Sequence, residues 1–335
     1  MQTLIYFFGC LCLPVRGALW GLAMVHNSPE MPALVSVDAA SGSTRLSGPP
    51  LAPLAATGDL ATVDSKRSVL WYLGDTGTLG TTLAGVSLTT GALICQAQVL
   101  VREIGFVGFG QSLNLNAAAD TLIISGIVTN STTNKSSHVV YSASADPERC
   151  GAALKYIGSF DSDSAFVPMC HASALDVASQ RLFLGLATGS SSFAVGIVDL
   201  KTGALARVDA EDAGSGKQLV GMKFDPSSGT LVGLASTADY AQLELVQLTP
   251  ESGKWRTRVV PNTQFPVVMG NMGSVSAFDA ASGTLYALLA ANTTTQETRL
   301  GVVDVASATL TAAPVLQPVG LGLMLNLVFA DETRL

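Results

Sequence analysis

Met222–Leu231 reads MKFDPSSGTL. An apolar run ends on Asp225, a Pro/Ser/Gly turn follows, and an apolar run resumes at Leu231. Asp before Ser and Gly is the chemistry of an Asx-turn. Its side chain accepts backbone N–H groups two residues on, and Gly supplies positive φ beside the next strand. The pattern returns as SAFDAASGTL around Asp279, SALDVASQRL around Asp176, LNLNAAADTL around Asn116 and ATVDSKRSVL around Asp64. It appears once more, shortened, as NLVFADETRL at the C-terminus. The landmarks recur at intervals of roughly 50 to 60 residues, a period at which repeat architectures are recognised. They are read as turn staples; the alternative is an acidic site.

Each interval has the same four parts. The run ending on the landmark is followed, after the turn, by an apolar strand: VLWYL, LIISGIV, LFLGLA, LVGLA and LYALLA. A third strand comes after a polar loop, and a fourth after a turn such as TTG, KTG or ESG. Short strands joined this way are antiparallel meanders, and meanders at one period make a β-propeller. ALWGLAM (Ala18–Met24) supplies a second strand with no innermost strand before it, while the C-terminal LMLNLVFADETRL is an innermost strand with nothing after it. The expectation is all-β: six blades of four-stranded antiparallel sheet, the ring closed by the C-terminal strand joining the N-terminal blade. If residues 4–15 were kept as a strand, a seventh blade would follow.

Composition agrees. Of 335 residues, 48% are hydrophobic and only 13% charged, with 33 Gly, which suits strands buried on both faces and tight turns. A formal net charge of -7 without Lys/Arg clusters argues against nucleic acid or an anionic membrane as partner. Beyond the N-terminus, no apolar run approaches the ~18–20 residues of a membrane helix. The first segment, MQTLIYFFGCLCLPVRG, is apolar from Leu4 to Val15, the length of a signal-peptide core, though it lacks a Lys or Arg before that core. Residues 1–17 are therefore read as a signal peptide and 18–335 as one propeller domain; the alternative is an innermost strand or plug. Sequons at Asn130, Asn134 and Asn292 fall in polar inter-strand loops and fit a secreted glycoprotein. Three cysteines remain after a cleaved signal: Cys150–Cys170, which flank one connecting segment, is the expected disulfide, against three buried thiols.

FDPSSGTLVGL, FDAASGTLYAL and LDVASQRLFLGL, followed by IVDLKTGAL and GVSLTTGAL, resemble six- or seven-bladed propellers of the broad group that includes the YVTN, NHL and quinoprotein-like repeats. The likeness spans nearly the whole chain and implies architecture. Lactonases, quinone-dependent dehydrogenases, sugar binders and scaffolds all occur in that group, so it implies no one activity.

In such a ring the innermost strands line a channel. The position five before each landmark lies at one mouth and reads Asp59, Gln111, His171, Val220 and Ser274. Acidic loops follow nearby: DSDS, with Asp161 and Asp163, and DAEDAGSG, with Asp209 and Glu211. Hard cations such as Ca²⁺ take several oxygen ligands, which these loops could supply; the plainer reading is solvated connectors. Lys223, on an innermost strand, is either a channel ligand or the partner of an Asp. Of three histidines only His171 occupies a suggestive place, where a His–carboxylate dyad could act as a general base. No G-x-S-x-G elbow occurs, and GSGK at 214–217 lacks the first Gly of a P-loop. The leading expectation is a secreted, monomeric, non-catalytic propeller that binds a protein or glycan partner through its loop-rich face. The alternative is a Ca²⁺-dependent hydrolase or lactonase-like enzyme with its site at the channel mouth.

Overall fold

Strands apolar on both faces need cover on both sides, and the chain provides it by setting twisted sheets face to face around an axis. The computed structural model describes residues 17–25, 31–51, 60–75, 80–101, 106–130, 133, 135–161, 167–188, 192–211, 217–236, 242–266, 276–292, 297–307, 309–316, 321–324 and 327–331. Residues 1–16 of the expected signal peptide 1–17 lie outside these, and Gly17 is the first residue of the first strand. The first blade contains β1 (Gly17–Val25), β2 (Met31–Val37) and β3 (Thr44–Leu46). The second is β4 (Ala61–Asp64), β5 (Val69–Asp75), β6 (Gly80–Ser87) and β7 (Leu93–Val101). The third is β8 (Phe106–Asn116), β9 (Thr121–Asn130), β10 (Lys135–Ser144) and β11 (Lys155–Asp161). The fourth is β12 (Val167–Asp176), β13 (Arg181–Thr188), β14 (Ser192–Asp199) and β15 (Leu205–Glu211). The fifth is β16 (Gln218–Asp225), β17 (Thr230–Ser236), β18 (Gln242–Glu251) and β19 (Lys254–Pro266). The sixth is β20 (Ser276–Asp279), β21 (Thr284–Asn292), β22 (Glu297–Asp304) and β23 (Thr309–Ala312). Within each blade the strands pair antiparallel in chain order.

The C-terminal segment closes the ring as expected, in two pieces. β24 (Leu321–Met324) pairs with the far end of β1, and β25 (Val328–Asp331) with its start, Ala18 facing Ala330. Phe329 stacks on Tyr286 of the sixth blade, centroids 6.0 Å apart, tying the closing strand to its neighbour.

Alternation along the second strands divides the core into wedges. Leu70 and Tyr72 face the first blade and pack with Leu22 and Leu34, whereas Val69, Trp71 and Leu73 face the third and pack with Leu113, Leu122 and Ile124. The same division recurs around the ring, giving one apolar cluster per blade junction. Trp71 is fully buried.

The landmarks are turn staples. Asp225 accepts Ser227 N at 2.9 Å and the Ser227 and Ser228 hydroxyls at 2.7 and 2.6 Å. Asp279 accepts Ala281 N at 2.9 Å and the Ser282 hydroxyl at 2.6 Å. Asp176 accepts Ala178 N, Ser179 N and the Ser179 hydroxyl. Four residues after the landmarks of the second to sixth blades the backbone turns left-handed. Gly229 and Gly283 fill that place in the fifth and sixth blades, but Ser68, Asp120 and Gln180 fill it in the second to fourth. Two of these side chains stitch blades together: Asp120 takes a bidentate contact from Arg67, and Gln180 exchanges hydrogen bonds with Asn116.

A further set of joints lies at the turns between third and fourth strands, on the same face. Gly91 abuts the Ser47 carbonyl of the first blade, and Gly203, at φ +74, abuts the Ile157 carbonyl of the third. Between the second and third blades the joint is covalent. Cys150 pairs with Cys95 on β7, with Cα atoms 5.8 Å apart. This corrects the expected Cys150–Cys170 pair. Adjacency in sequence favoured Cys170, but Cys170 stands on innermost β12, whereas Cys150 sits just after the 3-10 turn Pro147–Arg149, against the preceding blade. Between the fourth and fifth blades, β15 and β19 pair in parallel through Ala210–Trp255 and Glu211–Arg256.

Candidate active site in the central channel

The innermost strands β4, β8, β12, β16, β20 and β25 surround a cavity of about 730 Å³. Equal strand register puts equivalent residues of different blades around it. One before the landmark come Val63, Leu115, Leu175, Phe224 and Phe278; two before come Thr62, Asn114, Ala174, Lys223 and Ala277. Lys223 is the cationic group among the described lining residues, which places it in the channel wall. Its neighbours are already engaged. The Asp176 carboxylate is held by its own turn, and Asn114 donates to the Ser173 hydroxyl at 3.0 Å. Gln180 is shared between Asn116 and the Val177 carbonyl, the latter at 2.6 Å. Little in the chain announces these amides. The signal was that SQR replaces the SGT of other repeats, so a side chain stands where glycine would serve.

The expected mouth residues sit at an irregularity shared by several blades. The β8–β9 ladder skips from Gly110 to Ser112, so Gln111 occupies a bulge, and the β16–β17 ladder skips Val220 in the same way. In β12 the ladder breaks between Pro168 and Ser173, the span that contains His171. Bulges redirect side chains and are enriched beside active sites. Asp59 and Ser274 lie outside the described residues, as do Asp163 and Asn134.

The acidic ligand set is placed differently from its expectation. Asp161 ends β11, and Asp209 and Glu211 belong to β15, which runs further than the DAEDAGSG loop reading allowed. Both are outermost strands, three strand spacings (about 14 Å) from the innermost strand of their blade. Among the described residues no group of three His, Cys, Asp or Glu side chains is assembled to hold a metal ion. Asn130 and Asn292 are the last residues of β9 and β21 rather than loop residues.

One titratable group was missed. His138, on β10, is 1% exposed and stacks on Phe160 with centroids 5.0 Å apart. Neither ring nitrogen has a hydrogen-bond partner among the described residues, and burial pushes its pKa down to about 4.

No family model matches the chain, and no curated protein sequence resembles it. Solved structures share its architecture. TolB from Acinetobacter baumannii matches with a TM-score of 0.61 at 10% identity, over 94% of this chain and 66% of that one, so the chain spans slightly less than two thirds of it. A protein assigned as a 6-phosphogluconolactonase from Bacteroides fragilis matches at 0.53 and 10% identity, over 95% of this chain and 99% of that one. The periplasmic gluconolactonase of Pseudomonas aeruginosa matches at 0.51 and 16%, over 94% and 99%. These likenesses establish the propeller. They also correct the expectation of a non-catalytic binding scaffold: among the structures matched along nearly their whole length, two bear lactonase names.

Proposed function

We propose that the chain is a lactonase-like hydrolase working inside its central channel. The observation that carries the reading is the cavity bounded by all six innermost strands with Lys223 in its wall. Its volume falls in the range of small-molecule sites, roughly 300–1,000 Å³. Hydrolysis of a lactone adds water across the ring acyl–oxygen bond: hydroxide goes to the carbonyl carbon, and the proton ends on the released ring oxygen. Lys223 is positioned to polarise the carbonyl and to stabilise the oxyanion of the tetrahedral intermediate, where removing one such donor typically costs about 10²–10³ in kcat. His171, carried at the irregular part of β12, takes the proton from the attacking water and returns it to the leaving alkoxide. The names borne by the neighbours support the reaction class.

The same reading puts the protein outside the cytosol. A disulfide between blades persists in oxidising compartments, and one neighbour is periplasmic. Among the described residues no helix is long and apolar enough to cross a membrane. Residues 1–17 are then a removed export signal, and the mature chain starts near Ala18.

Proton release from a panel of lactones is the test. The wild type is expected to hydrolyse at least one of them well above background. Lys223→Met and His171→Gln should each lose about 100-fold or more in kcat at an unchanged melting temperature. Full activity in both variants would remove the channel from the chemistry.

A further inference from the structure

We propose that the lactone accepted here carries an apolar alkyl or aryl body rather than the polyhydroxylated ring of a sugar lactone. The inference rests on the hydrolase reading above and deepens it. Val63, Leu115, Leu175, Phe224, Phe278 and Phe329 line the cavity, and each keeps part of its surface exposed although it stands on an innermost strand. Aromatic and branched surface held against an open channel is unfavourable at about 25 cal/mol for each Å². A bound apolar group relieves that cost; a polyol does not.

The polar inventory points the same way. Every hydroxyl of a sugar lactone that enters an apolar cavity needs a hydrogen-bond partner, or it pays for its lost water. Asn114 gives its amide to Ser173, Gln180 divides its amide between Asn116 and Val177, and the Asp176 carboxylate is held in its turn. To a wall that is otherwise apolar, the remaining polar side chains of the lining add the Lys223 cation and the Thr62 and Ser276 hydroxyls, fewer groups than a sugar lactone has hydroxyls. That suits one carbonyl, becoming one carboxylate, attached to a hydrocarbon body.

The wall also gives the ligand a direction. Phe224 is fixed by stacking on Phe183, with centroids 5.6 Å apart, and Phe329 by stacking on Tyr286. At the turn end, four turns contribute Ala118, Ala178, Pro226 and Ala280. These small residues leave the cavity open towards the turns. The carbonyl sits at Lys223, and the alkyl body extends past the phenylalanines to the turn face.

The experiment is a homologous series on the wild-type protein. Proton release is followed for δ-valerolactone, δ-hexalactone, δ-octalactone and δ-decalactone, with glucono-δ-lactone alongside. kcat/KM should rise about fourfold for each added methylene, the equivalent of about 0.8 kcal/mol, with glucono-δ-lactone the poorest substrate. Phe278→Asn should flatten the rise, whereas Phe278→Leu should keep most of it. Hydrolysis with a flat series, or with glucono-δ-lactone best, overturns the apolar body and leaves the hydrolase reading standing. No hydrolysis of any member overturns both.

Discussion

The two ends of the channel are built differently. At the end carrying the landmark turns, the second to sixth blades repeat one local device, in which a carboxylate or amide caps its own turn and a left-handed residue follows. Polar groups there are paired, from Asp225 with its two serines to Arg67 clamped between Asp64 and Asp120. At the other end the bulges recur among the described residues, but the residue types do not. Gln111, His171 and Val220 share an address but no chemistry, their strands bulge, and His138 is buried nearby on β10 with no hydrogen-bond partner among the described residues. The difference teaches that one face is selected to hold the ring and the other is released from that duty. Substitutions at those joints of the turn face that do not line the cavity should therefore move stability and leave kcat per folded molecule alone.

The largest effect is expected at a blade joint. Gly203 has positive φ, and a Cβ there would overlap the Ile157 carbonyl, which is backbone and cannot rotate away. Gly203→Val combines that overlap with a left-handed β-branched residue, so a loss of about 4 kcal/mol or more is expected. A melting temperature within a few degrees of wild type would show that the blades are not locked at this turn.

Next comes the covalent joint. Cys95 and Cys150 close a segment 55 residues long, for which the loop-entropy estimate is about 4 kcal/mol. Replacing both by Ala should lower stability in denaturant by about 2–4 kcal/mol, and reductant should lower the wild type equally while leaving the variant untouched. An unchanged wild-type midpoint under reductant would place the stability of this junction in its apolar wedge alone.

Why one face was legible follows from the same contrast. The landmark turn is written in neighbouring residues, as in FDPSSG, and six copies let the blades be counted and the closure by Val328–Asp331 foreseen. Long-range joints leave no such trace. The Cys95–Cys150 pair and the β15–β19 pairing join residues set together only by the ring. Glu211 read as loop because nothing local announces a strand that gains its last partner from another blade. In the channel, periodicity put Lys223 on an innermost strand, which is β16. It could not show that the surrounding amides were committed to one another, because those partners belong to different blades.

An intermediate effect belongs to the loop end and depends on pH. His138 has its pKa depressed to about 4 by burial, against 6.5 in an unfolded chain. Above pH 6.5 both states are neutral, and the group adds no pH dependence. As pH falls from 6.5 to 4 the unfolded chain gains a proton that the folded chain refuses, so folding loses on the order of 3 kcal/mol. His138→Leu should remove most of that loss, seen as a flatter unfolding free energy between pH 7 and pH 4.5. A slope unchanged by the substitution would assign the acid sensitivity to other groups.

The smallest effects test whether the left-handed residues of the turn face are tolerated or used. Ser68, at φ 55, pays the left-handed penalty of about 1 kcal/mol. Ser68→Gly should therefore stabilise by somewhat less than that, since glycine gives back part of the gain as unfolded-chain entropy. Gln180 occupies the same turn position at φ 58, yet its side chain holds Asn116 at 2.7 Å and the Val177 carbonyl at 2.6 Å. Gln180→Gly gains the same conformational relief but leaves a part-buried amide unpaired across the junction, which costs about 1–3 kcal/mol. The two substitutions should shift the denaturation midpoint in opposite directions. If both stabilise, the cross-blade amide pair is a by-product of the turn, and the third and fourth blades are held by the wedge of Ile123, Val140 and Leu184 instead.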